Sequence, residues 1–573
     1  MPNANRPLDL VLVWHFHQPD YRDYTIGEFR LPWTYLHAIK DYSDMAWHLE
    51  RHREVRAVVN FVPVLLDQLE DYARQFESGT LRDPLLRLLA ESGKERLSDA
   101  ARGAILERCF HANHLHMIEP FAAYRRLHDL FEYAMRQGTE AAAYFSDQYL
   151  FDLLTWYHLA WTGETVRRES ELVTRLMSIG HGFSQADRLA LLGLLGEIIR
   201  DIIPRYRRLA ERGQIEISAT PHHHPLAPLL IDFSAAREPE PQAVLPQSPV
   251  YPGGRARVAF HVESAIAAHE RRFGARPHGL WPAEGGLSEA LVRLLAERGL
   301  EWTASGERVL ANSLARTEGG PGSRAEYLYR AWRLPSAAPG LTCFFRDDRL
   351  SDLIGFEYKT WNGRDAAKNL IGELTAIAAG ARPDSIPTVS VILDGENAWE
   401  WYPYNGYYFL EALYEGLAAH ASIRTTTYHD WLEAQKRPGA LPSRVGELPQ
   451  LTAGSWVYGN FTTWIGSREK NRAWDLLAAA KQCFDLVIAS GRLDEARTRA
   501  AFEQLAVCEA SDWFWWFGDY NPVEAVASFD QLYRENLARL YASLNLPAPG
   551  ELATPISHGS GKPESGGSMR RAS

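Results

Sequence analysis

The sequence predicts an α/β protein built on a parallel sheet. Three observations lead there: short apolar runs rich in β-branched residues, polar or charged residues closing each run, and helical patterns between them. Seven runs qualify: LDLVLVWHFH (8–17), VRAVVNFV (55–62), IEISAT (215–220), HGLWPAE (278–284), LEWTASG (300–306), LTCFFRDD (341–348) and TVSVILDGE (388–396). Stretches such as SEALVRLLAERG repeat their apolar positions at three and four, the period of a helix with one buried face. Seven strands are one short of an eight-fold barrel, so the pattern admits either an incomplete (β/α) barrel or a doubly wound sheet.

The connection after the second run is oversized. Residues 64–210 are mostly amphipathic helix, including SQADRLALLGLLGEIIRDIIPRYRRLAERG with Ser184 as its cap, so this span reads as a helical insertion. The pattern changes near residue 445, where NRAWDLLAAAKQCFDLVIASG, DEARTRAAFEQLAVCEA and FDQLYRENLARLYASLNL follow as three helices, the first ending at Gly491. The expected organisation is a catalytic unit over 1–430, a helical unit over 431–550 and a disordered tail over 551–573, where apolar residues are scarce.

Composition narrows the function. A net charge of −11 argues against a nucleic-acid partner, whose phosphates require a basic face. The four cysteines (Cys109, Cys343, Cys483 and Cys508) lack metal-knuckle or disulfide spacing, which favours a reducing compartment. The N-terminus carries no secretory pattern and no window approaches a membrane span, so a cytoplasmic protein is expected. Eighteen Trp and 25 Tyr fill cores, but sugar-binding clefts consume them as well.

In parallel α/β folds ligands bind where strands end. Those ends carry His15, His17 and Gln18; His222, His223 and His224; Trp281 and Glu284; Arg346, Asp347 and Asp348; and Asp394 and Glu396. Alternation along a strand puts His15 and His17 on one face, away from Trp14 and Phe16. Glu284 and Asp394 each suit a helix start or a turn. Together they supply what acetal hydrolysis needs, one group to attack the anomeric carbon and one to protonate the leaving oxygen. The histidines with acids at 394 and 396 also have the chemistry of a zinc site, as in metal-dependent glycosidases or deacetylases.

The ordered set HFHQP, GQIEISATPHHHPLAPLL, HGLWPAEGGLS, VILDGENAWEWYPYNG and EASDWFWWFGD resembles the five sequence regions of glycoside hydrolase family 57, a family of α-glucan-active amylases, amylopullulanases, 4-α-glucanotransferases and branching enzymes. The similarity spans positions 10 to about 545, and WPAEGG, FFRDDRLSDLIGF and GSWVYGNFTTWIG look most like the α-amylase and amylopullulanase branch. The resemblance implies an incomplete (β/α)7 barrel followed by an α-helical domain that closes the cleft, a retaining mechanism on α-glucans or maltooligosaccharides, and no cofactor or metal. Carried over by position, Glu284 matches the nucleophile and Asp394 the general acid/base. His15, His17, Trp281, Glu396 and Trp401 match substrate contacts, and Asp512 and Trp515 match the helical domain's contribution. His224, Arg346, Asp347 and Trp464 complete the expected substrate-binding set. His224 stands where some members carry a glutamate, and Gly286 where a serine is common. A non-catalytic glucan-binding homologue of the same fold is the alternative of a different class.

Overall fold

In the computed structural model, residues 6–93, 96–441 and 444–561 are described. All seven expected runs are strands: β1 Leu8–Phe16, β2 Ala57–Phe61, β3 Ile215–Ala219, β4 Gly279–Leu280, β5 Trp302–Ser305, β6 Ala338–Phe345 and β7 Thr388–Asp394. Their order is β7-β1-β2-β3-β4-β5-β6, parallel throughout. The sheet curls until its two ends touch, where Arg346 just past β6 forms a parallel bridge with Ser390 of β7. A strand absent from the sequence reading, Ala331–Leu334, lies antiparallel to β6 and carries Val445–Glu447 on its outer side, while Ile423–Thr425 pairs with β1.

Curling divides each strand between two cores. Val11 and Val13 of β1 and Ile392 of β7 join Trp302, Phe344, Tyr428 and Trp431 in an inner cluster, whereas Leu10, Leu12, Trp14, Val391 and Leu393 join the larger outer one beneath the helices. The period of two continues past the apolar residues, so His15 and Asp394 follow Val13 and Ile392 into the mouth of the barrel. Strand β4 is cut to two residues because Pro282 cannot continue the ladder. Only glycine fits its first position, since a Cβ on Gly279 would lie 1.9 Å from the Trp302 indole.

Between β2 and β3 the chain runs through helices that include Pro63–Ser78, Asp147–Trp161 and Gln185–Glu211, the last opened by a capping box of Ser184 with Asp187. After residue 466 come Arg468–Ala489, Glu495–Cys508 and Val523–Ser543, and Gly491 takes the left-handed conformation that ends the first of them. No described helix is long and apolar enough to cross a membrane. Residues 551–561, expected in the tail, are packed: Asp530 accepts the Ser557 amide at 3.2 Å and Gly561 bridges Pro522. Positions 562–573 of that tail lie outside the described residues.

Candidate active site

Three histidines form the floor. The His15 ring sits 2.6 Å from Asn60 Oδ1, and that amide is fixed by donating to Ser218 at 2.9 Å and accepting from Thr220 at 2.9 Å. His15 Nδ1 therefore carries the proton and Nε2 keeps its lone pair. Burial, reinforced by nearby His17, depresses the His15 basicity to about 3 and keeps it neutral. His224 holds a left-handed backbone (φ 56°) that stacks its ring 3.8 Å from His17 and 5.4 Å from His15. Burial and those two neighbours push its basicity far down as well. His17 Nε2 contacts Asp512 Oδ1 at 2.8 Å, and the His17 amide donates to Glu396 at 3.0 Å.

Glu284 follows β4 in a second left-handed conformation, φ 58° and ψ 23°. Trp456 Nε1 donates to its Oε2 at 3.2 Å and the Ser511 hydroxyl to its Oε1 at 3.4 Å. Burial, with the charges of Asp512 and Asp394, drives the Glu284 carboxyl up to about 8. Asp394 ends β7 and accepts from Asn397 at 2.9 Å; burial raises it too, against the pull of Asn397, His17 and Arg346. Burial and the Asp394 charge raise Glu396 well above the carboxylate range. Glu284 and Asp394, 110 positions apart in sequence, line one cavity of about 760 Å³ at the strand ends. It is a pocket of the size that encloses small-molecule ligands.

The sequence profile described as Glycosyl hydrolase family 57 matches residues 11–443. The chain belongs to that family. Its fold is similar to a GH57-type branching enzyme from Pyrococcus horikoshii (16% identity, 96% of this chain and 93% of that one, TM-score 0.56). It is also similar to a GH57 branching enzyme from Thermococcus kodakaraensis (15%, 94% and 89%, 0.55) and to the α-amylase AmyC from Thermotoga maritima (13%, 94% and 94%, 0.54).

In this family 57 chain, ten of the thirteen expected site residues line the cavity: Glu284, Asp394, His15, His17, His224, Arg346, Glu396, Trp401, Asp512 and Trp515. Three stand behind it. Trp281 is fully buried in the inner core, edge-on to Trp456 at 5.2 Å. Trp464 packs against Trp515 at 5.7 Å within the outer core. Asp347 caps the helix Asp348–Asp352 and pairs with Arg324 at 2.8 Å and the Tyr329 hydroxyl at 3.0 Å. Arg346 pairs not with Asp347 but with Asp352 at 2.9 Å, its guanidinium 5.2 Å from the Trp456 ring centroid.

Asn60, Ser511 and Asn397 escape the sequence reading because an isolated Ser or Asn carries no pattern. The motif GSWVYGNFTTWIG supplies two indoles, Trp456 and Trp464, and it is Trp456 that reaches the carboxylate. Of the insertion histidines, His111 reaches the cavity rim. Glu216 faces the inner core instead, accepting from Trp302 at 2.7 Å and the His429 amide at 3.0 Å. His17, His224 and Asp512 bring one ligand atom each within 4.8 Å of one another, the spacing a metal ion requires.

Proposed function

We propose that this protein is a retaining glycoside hydrolase acting on the α-1,4 or α-1,6 bonds of α-glucans, with Glu284 as nucleophile and Asp394 as general acid/base. One observation carries the reading. Buried polar atoms on cavity-lining residues, among them His17 Nδ1, His224 Nε2, Arg346 Nε, Glu396 Oε2 and Asp512 Oδ2, have no hydrogen-bond partner among the described residues. Buried polar atoms are normally satisfied, and here donors and acceptors are mixed on an aromatic-walled surface. A sugar ring matches that surface: each hydroxyl both donates and accepts, and its apolar face stacks on indole.

In this mechanism Asp394 gives its proton to the glycosidic oxygen while the Glu284 carboxylate attacks the anomeric carbon, breaking the bond to the leaving sugar. Asp394, now ionised, takes a proton from water, whose oxygen displaces Glu284 and restores the anomeric configuration. Burial raises the Asp394 carboxyl, the direction a general acid requires. The Trp456 and Ser511 hydrogen bonds favour the ionised form of Glu284, and a proton on Asp394 removes one of the two charges that raise the Glu284 carboxyl. Transfer to a second sugar, as in branching enzymes and glucanotransferases, uses the same covalent intermediate. It is the second reading, because the same cavity is also lined by Arg108, His111, Tyr520 and Phe529, so its walls extend beyond the acids.

Chromatography of maltoheptaose digests tests both. Shorter products alone support hydrolysis, and products longer than the substrate support transfer. Glu284→Ala and Asp394→Ala should each lower turnover by about 10²- to 10⁴-fold or more. Binding without any change in chain length would favour the non-catalytic homologue. Turnover abolished by chelator and restored by zinc would move the chemistry to His17, His224 and Asp512.

A further inference from the structure

We propose that His48, His52 and Glu411 form a second site, independent of the cleft, that binds a divalent transition-metal ion of the zinc class and staples two helices on the outside of the barrel. His48 lies on the helix Ser43–Arg51, and His52 is the residue that caps its C-terminal end, so i and i+4 spacing puts both rings on one face. Glu411 lies on the helix Tyr407–Ala418, which follows the β7 loop carrying Asp394, Glu396 and Trp401. The metal would therefore join the helical layer after β1 to the layer after β7, outside the two adjacent strands that supply His15 and Asp394.

The geometry fits with little movement. Glu411 Oε2 lies 3.5 Å from His48 Nδ1 and 3.0 Å from His52 Nε2, and all three ligand atoms fall within 4.8 Å of one another. Ligands held tetrahedrally at about 2.0–2.1 Å stand roughly 3.3 Å apart, between those two spacings. A second observation points to a ligand: His48 is 1% exposed, its Nε2 has no hydrogen-bond partner among the described residues, and its Nδ1 has only the long contact with Glu411 at 3.5 Å. Tyr407 and Tyr414 enclose that ring at 5.3 and 6.4 Å and keep water from taking the partner's place. Arg51 occupies the other Glu411 oxygen at 2.9 Å, leaving Oε2 for the ion and orienting the carboxylate as outer-shell partners do. Two imidazoles and one carboxylate suit zinc, cobalt or nickel better than calcium or magnesium. The comparable trio His278, Glu301 and His429 has no buried unpartnered nitrogen and carries no such inference.

The test uses the full-length protein dialysed against EDTA and titrated with Zn²⁺ and Co²⁺. We expect saturable binding in the micromolar range or tighter, the visible absorption of four-coordinate cobalt, and a melting temperature several degrees higher with metal. Turnover at 25 °C should not change. Glu411→Gln and His52→Gln, both at the rim and tolerant of substitution, should weaken binding more than about tenfold and remove the melting shift. His17→Ala, in the cleft, should leave both intact. The proposal is overturned if metal leaves the melting temperature unchanged. It is equally overturned if binding survives in both rim variants, or is lost in His17→Ala.

Discussion

Glu284 combines two costs in one residue: a left-handed backbone that a Cβ atom disfavours, and a carboxyl that burial and the Asp512 and Asp394 charges raise to about 8. Neither helps folding, and both are the kind of strain that clusters at reactive centres. The sign of the second can be measured. Below the ordinary pKa of 4.5 the acid is neutral in both folded and unfolded chains and contributes nothing. Between 4.5 and about 8 only the unfolded chain ionises, so folding stability falls as pH rises, and above 8 the full penalty is present. Since one pKa unit corresponds to about 1.4 kcal/mol, the full penalty is of the order of a few kcal/mol. Glu284→Gln, which keeps the acceptor for Trp456, should melt like wild type at pH 4 and progressively higher than wild type from pH 5 to pH 8.5. Melting curves that stay parallel across that range would contradict the raised carboxyl. The sequence motif pointed to this residue, but not to its partners: Trp456 and Ser511 arrive from segments more than 170 positions away, and nothing local in either segment announces the contact.

The elements were most legible where one physical constraint acts on a continuous run. Seven strands could be read because each is largely buried, which keeps its run free of charges until the strand ends apart from Asp9 and Glu216, both held by polar partners, and the same alternation led to His15 and Asp394. The strand Ala331–Leu334 escaped because it is only four residues long and its exposed Arg333 breaks the apolar continuity seen in the others. The turn Ala510–Asp512 was legible only as an aromatic motif, and the anchor beneath it was missed. Glu509, fully buried, pairs with Arg257 at 2.8 Å and with His261 at 2.7 Å, tying the end of the helix Glu495–Cys508 to the helix Gly254–Phe273. Burial alone would raise this carboxyl, but Arg257 and His261 outweigh it and hold the group well below the usual range. Two residues on, the Ser511 amide donates to the His224 carbonyl at 2.9 Å, so the anchor fixes both the hydroxyl on Glu284 and the carboxylate on His17. Glu509→Gln leaves the buried Arg257 guanidinium without its counter-charge and should cost about 3–5 kcal/mol. A melting temperature within a degree of wild type, with unchanged kcat/KM on maltooligosaccharide, would show that the turn needs no such anchor.

At the scale of the molecule, the cavity belongs to no single segment. Strand ends supply the carboxyls, the insertion supplies Arg108 and His111 at the rim, and the C-terminal helices supply Asp512, Trp515 and Tyr520. The sequence suggested a boundary near 430 because the strand-helix alternation stops there, yet a change of pattern is not a break in packing. One apolar cluster runs from Leu10 in β1 through Phe233 to Trp474, Phe514 and Tyr533. Trp474 stacks on Phe514 at 3.9 Å and meets Phe233 edge-on at 5.2 Å, and Pro225 bridges Ala510. Separable domains keep their own cores and meet across modest, more polar interfaces. Here the interface is itself core, so the helices after residue 466 and the barrel should unfold together. Calorimetry is expected to give one transition, and a chain ending at residue 466 should expose the Phe233 face, aggregate and show no turnover. Two resolved transitions, or a soluble and folded truncated barrel, would restore the helices as an autonomous unit. Ser511 and Asp512 would then reach the cleft by docking and not by folding, and the cavity would exist only while the two units were in contact.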